Sequence, residues 1–268
     1  MSDQPEKIRK IVQVHYAGRA NSAGSCSGSG EQSSCCGEVD IKSYGQAIGY
    51  ALEELALLPD GANLGLGCGN PTAYADVKPG ETILDLGSGG GMDAFIAAKL
   101  VGEHGRVIGV DMTPEMIELA QKNAAKGNYT QVEFRLGLIE DLPVEDEVVD
   151  LVISNCVVNL STDKAKVYQE AYRVLKPGGR IAISDPVRVA EFPDVVKEAE
   201  DAYAGCIAGA ASIDELKSYL VEAGFKQIQI VPKGADDEVI SGWADEDLEI
   251  PLGQYVVSML ISAVKPKS

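Results

Sequence analysis

Cysteines are the side chains of this 268-residue chain best suited to metal or covalent chemistry, since it has six of them and only two histidines. Cys26, Cys35 and Cys36 lie in a Gly- and Ser-rich stretch, whereas Cys68, Cys156 and Cys206 stand far apart along the chain. Thiolates bind soft, thiophilic ions, and three of them can form a pyramidal site around an ion that carries a lone pair. Inert cysteines buried in a core are the equally weighted alternative.

The elements that must position these cysteines alternate between apolar strands and helices. The predicted strands cover residues 82–84, 106–110, 131–136, 148–154, 180–184, 227–231 and 255–264. This alternation is typical of a doubly wound, mostly parallel α/β sheet, here of seven strands. Helices are expected at 6–16, 44–58 and 195–207, and a turn at 176–179. Cys156 then follows the fourth strand, at the sheet edge where such folds bind ligands.

A glycine-rich turn joins the first strand to the next helix in TILDLGSGGGMD, residues 82–93. Gly87, Gly89 and Gly91 allow a tight turn and a close approach of a ligand to the backbone. Met92 stands where the dinucleotide fingerprint has its last glycine, which argues against a dehydrogenase. The pattern resembles motif I of the class I methyltransferases, and this resemblance implies S-adenosyl-L-methionine as the cofactor.

Further side chains at the same strand ends complete a candidate cofactor site. Asp111 ends the second strand and is suited to accept hydrogen bonds from two ribose hydroxyls, although capping of the next helix is the alternative. We expect contributions from the glycine turn, from groups facing the methionine moiety and from groups facing the adenine: Asp85, Gly87, Gly89, Gly91, Asp111, Met112, Ile139, Glu140 and Asn155. Asp85 would accept hydrogen bonds from the amino group of the methionine moiety. Ile139 would pack on the adenine ring, and Glu140 would accept a hydrogen bond from the exocyclic amine of the adenine.

The coarse topology brings three thiols toward the methyl group of this cofactor. Cys156 follows the fourth strand, Cys68 precedes the first, and Cys206 lies on a helix after the fifth. Trivalent arsenic suits a three-thiol site because its lone pair points away from the sulfurs, toward the methyl carbon. Zinc usually takes four ligands and has no nucleophilic lone pair. Methylation of arsenic would need no general base.

Three cysteine motifs resemble those of the arsenite S-adenosylmethionine methyltransferases: GLGCGNP at 65–71, SNCVVNLS at 154–161 and GCIAGA at 205–210. The resemblance implies that Cys68, Cys156 and Cys206 bind arsenic(III), and that Cys35 or Cys36 is the additional N-terminal cysteine of the family. It also implies a cysteine disulfide that thioredoxin, glutaredoxin or small thiols reduce.

Composition narrows the partners and the compartment. The chain has 41 acidic and 23 basic residues, a formal net charge of -18, which disfavours nucleic acid and anionic membranes as partners. Its first residues are polar, and no apolar run long enough for a membrane span is evident. We therefore expect a cytoplasmic protein.

Three regions are expected along the chain. Residues 1–60 would form N-terminal helices and a mobile, Cys-containing lid, residues 61–190 the Rossmann-like cofactor domain, and residues 191–268 the arsenic-binding helix region with the last helix and strands. Two rival functions remain. One is methylation of another small molecule, such as a quinone precursor, with His15 or a lid carboxylate as the base. The other is a metalloid sensor without turnover.

Overall fold

A seven-stranded sheet organises the described part of the protein, and helices cover both of its faces. The computed structural model describes residues 3–24, 41–193, 206–233 and 254–267. The strand order is β3-β2-β1-β4-β5-β7-β6, with β7 antiparallel to both of its neighbours. The strands are β1 (Thr82–Leu86), β2 (Arg106–Asp111), β3 (Val132–Leu136), β4 (Val149–Asn155), β5 (Leu175–Arg188), β6 (Lys226–Pro232) and β7 (Val256–Val264). The predicted mostly parallel, seven-stranded fold is confirmed.

The helices of the described residues are α1 (Asp3–Gly24), α2 (Ile41–Ala47), α3 (Leu52–Ala56), α4 (Met92–Val101), α5 (Pro114–Gly127), α6 (Lys164–Val174) and α7 (Ile213–Ala223). Helices α4 and α5 pack on one face of the sheet around Phe95 and Ile117. Helices α6 and α7 cover the other face around Tyr168 and Leu220. Both faces are therefore buried, which explains why the central strands β1 and β4 are almost continuously apolar.

The N-terminal helix α1 is longer than predicted. It continues through residues 17–24, beyond the predicted end at residue 16, although Gly, Ser and Ala dominate this stretch. Ala20 on this extension packs against Met116 and Leu119 of the core. Tertiary burial thus stabilises a helix whose local propensity is modest.

Two other local expectations were wrong. The predicted helix at 44–58 is two short helices, α2 and α3, separated where Gly49 adopts a φ of +103° and Tyr50 is buried. The predicted turn at 176–179 is an irregular part of β5, since Gly178 donates to the Lys265 carbonyl and continues the pairing with the segment after β7. Most of the predicted helix at 195–207 lies outside the described residues, and its described residues, 206 and 207, form a turn instead of a helix. No helix in the described ranges is long and apolar enough to span a membrane.

Candidate active site

A cavity opens at the carboxyl ends of β1, β2 and β4. The strand order reverses between β1 and β4, which is where open α/β sheets bind ligands. The cavity encloses about 1060 Å³, including its open mouth. The predicted cofactor residues that line it are Asp85, Gly87, Gly89, Asp111, Met112, Ile139, Glu140 and Asn155. Gly91 does not line it. That residue is the N-cap of α4, with a φ of +96°, and it lies against the Phe95 ring. Gly91 therefore allows the turn and the close packing of Phe95, and it does not contact the cavity.

The glycine turn is held by the end of β2. The backbone N–H of Gly89 donates to Asp111 Oδ2 at 3.0 Å, and Gly87 turns with a φ of +67°. Gly90, which was not predicted, also lines the cavity. A Cβ at this position would lie 2.9 Å from the carbonyl oxygens of Gly61 and Ala62, so the turn and the 61–66 loop require a glycine here.

Asp111 is buried, and both of its carboxylate oxygens accept hydrogen bonds from the protein backbone. Its Oδ1 accepts from the N–H of Thr113, at the start of α5, at 2.8 Å, while Oδ2 holds the glycine turn. Burial raises the pKa of this carboxyl, and the hydrogen bonds from Thr113 and Gly89 oppose that rise. Hydrogen bonds from the Thr113 side chain and the Met112 backbone also favour its charged form. Asp111 therefore fixes the glycine turn and the residues that lead into α5, and it lines the cavity.

Two more buried carboxyl groups face the same cavity. Asp85 is 2% exposed, and its Oδ2 has no hydrogen-bond partner within the described part of the chain. Burial raises the pKa of Asp85 well above its usual range, and the charges of Asp93 and Asp111 raise it further. Burial also raises the pKa of Asp93 to about 6, against hydrogen bonds from Tyr50 and Asn155. Such a pair favours a cationic ligand, because a nearby positive charge stabilises both carboxylates.

Asn155 connects this cavity to the loop that carries Cys68. Its Oδ1 accepts from the backbone N–H groups of Cys68 at 2.8 Å and Gly69 at 3.2 Å. Its Nδ2 donates to the Gly69 carbonyl at 2.7 Å, and lies 2.9 Å from the Tyr50 hydroxyl and 3.1 Å from Asp93 Oδ2. The amide is thus saturated by protein groups. This arrangement gives Asn155 a positioning role at the cavity wall.

The three separated cysteines form one buried cluster. Cys68, Cys156 and Cys206 are 1%, 4% and 3% exposed, respectively, and Leu160 packs against them. Cys68 and Cys156 are joined by a disulfide, with their Cα atoms 5.8 Å apart. Cys206 is a free thiol that donates to the Cys156 carbonyl at 2.8 Å, and burial raises the pKa of this thiol. The expected three free thiols are therefore two disulfide-bonded sulfurs and one thiol in this structure.

The backbone at two of these cysteines is unusual. Cys156 has a φ of +57° and Cys206 a φ of +66°. Both values lie in the left-handed region, which residues other than Gly, Asn and Asp rarely adopt. Each such conformation costs about 1–2 kcal/mol, and such residues concentrate at functional sites. The strained conformation at Cys156 directs the chain away from β4 beside the cavity that this residue lines.

The contribution of α1 to the cavity wall was not predicted from the sequence. Arg9, Val12 and Tyr16 of this helix line the cavity, and Gln13 Nε2 donates to the Met112 carbonyl at 3.1 Å. Tyr16 also hydrogen-bonds with the Cys206 side chain. The sequence carries no motif for these contacts, because they depend on how α1 packs on the sheet. His15, the weak candidate for a base, is exposed and does not line the cavity.

Polar groups beside Glu140 and the cysteines were also not predicted from the sequence. Ser161 donates to Glu140 Oε1 at 2.6 Å, and both residues line the cavity. Asp185, in the carboxyl-terminal part of β5, is buried beside the sulfurs of Cys68 and Cys156. Burial raises the pKa of Asp185 to about 7, while the charge of Lys164 opposes that rise. The N-terminal cysteines Cys26, Cys35 and Cys36 lie outside the described residues.

Comparisons with known proteins point to one family. Residues 77–224 match a family model described as a methyltransferase domain. An arsenite methyltransferase of Halobacterium salinarum is 52% identical over 98% of this chain and 68% of its own length. The human arsenite methyltransferase is 41% identical over 53% of this chain and 40% of its own length. The chain thus spans about two thirds of the first relative and less than half of the second.

Solved structures agree with this grouping. The crystal structure of an arsenic(III) S-adenosylmethionine methyltransferase from Chlamydomonas reinhardtii is similar to this chain with a TM-score of 0.60 and 33% identity. The similarity covers 84% of this chain and 72% of that one. A phosphoethanolamine N-methyltransferase from Haemonchus contortus shares the fold, with a TM-score of 0.64 at 20% identity over 84% of this chain and 57% of its own.

Proposed function

This chain belongs to the arsenite methyltransferase family of S-adenosylmethionine-dependent enzymes, and from that membership we propose that it methylates trivalent arsenic held by cysteine thiolates. The observation that carries the proposal is the convergence of Cys68, Cys156 and Cys206, from three distant parts of the chain, into one buried cluster. Cys156 belongs both to this cluster and to the cavity wall, so bound arsenic would face the methyl donor.

Cys68, Cys156 and Cys206 are the proposed arsenic ligands once the disulfide is reduced. Each thiol displaces one hydroxyl or small-thiol ligand of arsenic, and its proton leaves with that ligand. Three sulfurs leave the arsenic lone pair free on the opposite side. Because the nucleophile is already unprotonated, the transfer needs no general base, and no histidine lines the described cavity.

The residues of the cavity fit S-adenosylmethionine, which supplies a methyl group on a positively charged sulfur. Asp85 and Asp93 are buried acceptors for its ammonium group, and the Asp85 Oδ2 that lacks a partner among the described residues supports that role. Asp111 is the proposed acceptor for the ribose hydroxyls, and Glu140 for the adenine amine. Met112 and Ile139 would contact the adenine faces.

The disulfide between Cys68 and Cys156 supports a redox step in the cycle. Loss of the arsenic lone pair to a methyl group oxidises arsenic to the pentavalent state. Two thiolates that join as a disulfide supply the two electrons that return it to the trivalent state. Thioredoxin, glutaredoxin or small thiols then reduce the disulfide. Cys35 or Cys36 is the proposed additional cysteine of this exchange. A cytoplasmic location would keep the thiols reduced.

The test combines arsenic(III), S-adenosylmethionine and a thiol reductant, followed by separation and quantification of methylarsenicals. Wild-type protein should yield methylated arsenic, while Cys156→Ser and Cys206→Ser should each lower the yield at least tenfold. Ser218→Ala serves as a control, since this exposed hydroxyl donates to Glu222 one turn further along α7 and does not line the cavity. Arsenic binding without any methylated product would favour the sensor, and product in both cysteine variants would remove the proposed ligands.

A further inference from the structure

Asp185 places a carboxylate beside two of the proposed arsenic ligands. A carboxylate oxygen of Asp185 and the sulfurs of Cys68 and Cys156 all lie within 4.8 Å of one another. All three residues are buried, and Asp185 is 2% exposed. Its Oδ1 has no hydrogen-bond partner within the described part of the chain. A buried acceptor without a partner costs free energy, so the site is suited to a ligand that this oxygen can bind.

The surroundings hold the carboxylate as they would hold a metal ligand. The backbone N–H groups of Val157, Val158 and Asn159 point to Asp185 and favour its charged form. Lys164 adds a favourable positive charge from the start of α6. Carboxylates that bind metals are commonly fixed by such hydrogen bonds from outside the ligand shell. Asp185 is therefore oriented without the help of either cysteine.

A set of two sulfurs and one carboxylate oxygen is not what arsenic(III) requires, because arsenic is satisfied by sulfur alone. Zinc accepts both donor types, with Zn–S distances of about 2.3 Å and Zn–O distances of about 2.0–2.2 Å. Two thiolates, one carboxylate and a divalent cation carry one net negative charge, which Lys164 balances. We propose that the reduced protein binds Zn²⁺ through Cys68, Cys156 and Asp185, with the fourth position open.

This site would make zinc and arsenic mutually exclusive, since both use the same two sulfurs. Zinc has no lone pair to accept a methyl group, so the zinc-bound protein would be an inhibited form. Zinc would also keep Cys68 and Cys156 from forming their disulfide. The proposal does not depend on methyl transfer, because zinc binding is measured without arsenic or S-adenosylmethionine.

The experiment titrates protein reduced with a phosphine against Zn²⁺ in competition with a chromophoric zinc chelator. Wild type should bind one zinc per chain. Asp185→Asn should weaken zinc binding at least tenfold, because loss of a metal ligand costs no less than loss of a hydrogen-bond partner behind a ligand. The same variant should change arsenic(III) affinity less than threefold. Cys68→Ser should weaken both. Glu170→Gln is the matched control, since this buried carboxyl pairs with Arg173 away from the cysteines.

Three results would overturn the proposal. The wild type could bind zinc no more tightly than Cys68→Ser does, or Asp185→Asn could leave the zinc affinity unchanged. The third is an Asp185→Asn variant whose arsenic(III) affinity falls as much as its zinc affinity. X-ray absorption of zinc-loaded wild type keeps the test valid if Asp185→Asn misfolds. It should show two sulfurs and light-atom neighbours, and a shell of sulfur alone would refute the assignment. Zinc binding without arsenic methylation would refute the proposed function and leave this site standing.

Discussion

Replacing Asn155 by alanine should loosen the cysteine site and the cofactor site together. Its Oδ1 accepts two backbone N–H groups, from Cys68 at 2.8 Å and Gly69 at 3.2 Å. Its Nδ2 donates to the Gly69 carbonyl at 2.7 Å and shares its second hydrogen between Tyr50 and Asp93. The alanine variant therefore loses about four hydrogen bonds and leaves Asp93 without one of its donors.

The magnitude follows from these bonds. A net contribution of about 1 kcal/mol each gives about 4 kcal/mol as an upper bound. Asn155 is only partly buried, so water can replace some of the lost partners, and we expect the free energy of unfolding to fall by about 2–3 kcal/mol. Denaturant unfolding of the reduced protein measures this loss. Arsenic(III) affinity should fall about tenfold, equivalent to about 1.4 kcal/mol, because the Cys68 loop is no longer held beside Cys156.

Asn128→Ala is the matched control for general destabilisation. Asn128 ends α5 in a left-handed conformation with a φ of +54°, so alanine should cost about 1–2 kcal/mol there without any contact to the site. Its arsenic affinity should equal that of wild type. An Asn155→Ala protein that binds arsenic(III) as tightly as this control would refute the positioning role, whatever its unfolding free energy.

Three further outcomes are expected at the cofactor site. Asp111→Ala should weaken S-adenosylmethionine binding by about 1–3 kcal/mol, and unchanged affinity by calorimetry would contradict the assignment. Because burial raises the pKa of Asp93 from its ordinary 3.8 to about 6, its contribution to stability should be largest below pH ~4 and lost as the pH rises through ~6. Affinity for the cationic cofactor should rise over that interval, and a pH series on Asp93→Asn should show a flatter rise. Gly90→Ala should lower stability by about 1–3 kcal/mol in thermal unfolding, since its Cβ meets two backbone carbonyls, whereas Gly80→Ala, with open space around it, should lose only the cost of its positive φ.

The sheet could be predicted from sequence because each of its signals is local. An apolar run, the glycine turn and the following helix all fall within residues 82–101, and strand lengths follow from apolar periodicity over a few residues. The errors arose where packing overrode local preference. Ala20 is helical because it packs on Met116, and the 44–58 segment breaks at Gly49 because Tyr50 turns inward to reach Asp93.

By itself, the sequence determined the family, and it predicted the cofactor corner and singled out the three cysteines, because these are carried by residue types at short, recognisable spacings. Only the tertiary structure joined Cys68 to Cys156 across 88 residues and placed Asp185 beside both sulfurs. It also laid α1 over the cavity and directed the Asn155 amide at the Cys68 loop. The physical reason is the strand order, which brings the ends of β1, β4 and β5 together although the chain separates them. Contacts across such distances depend on the packing of the whole sheet and on no spacing within any one motif.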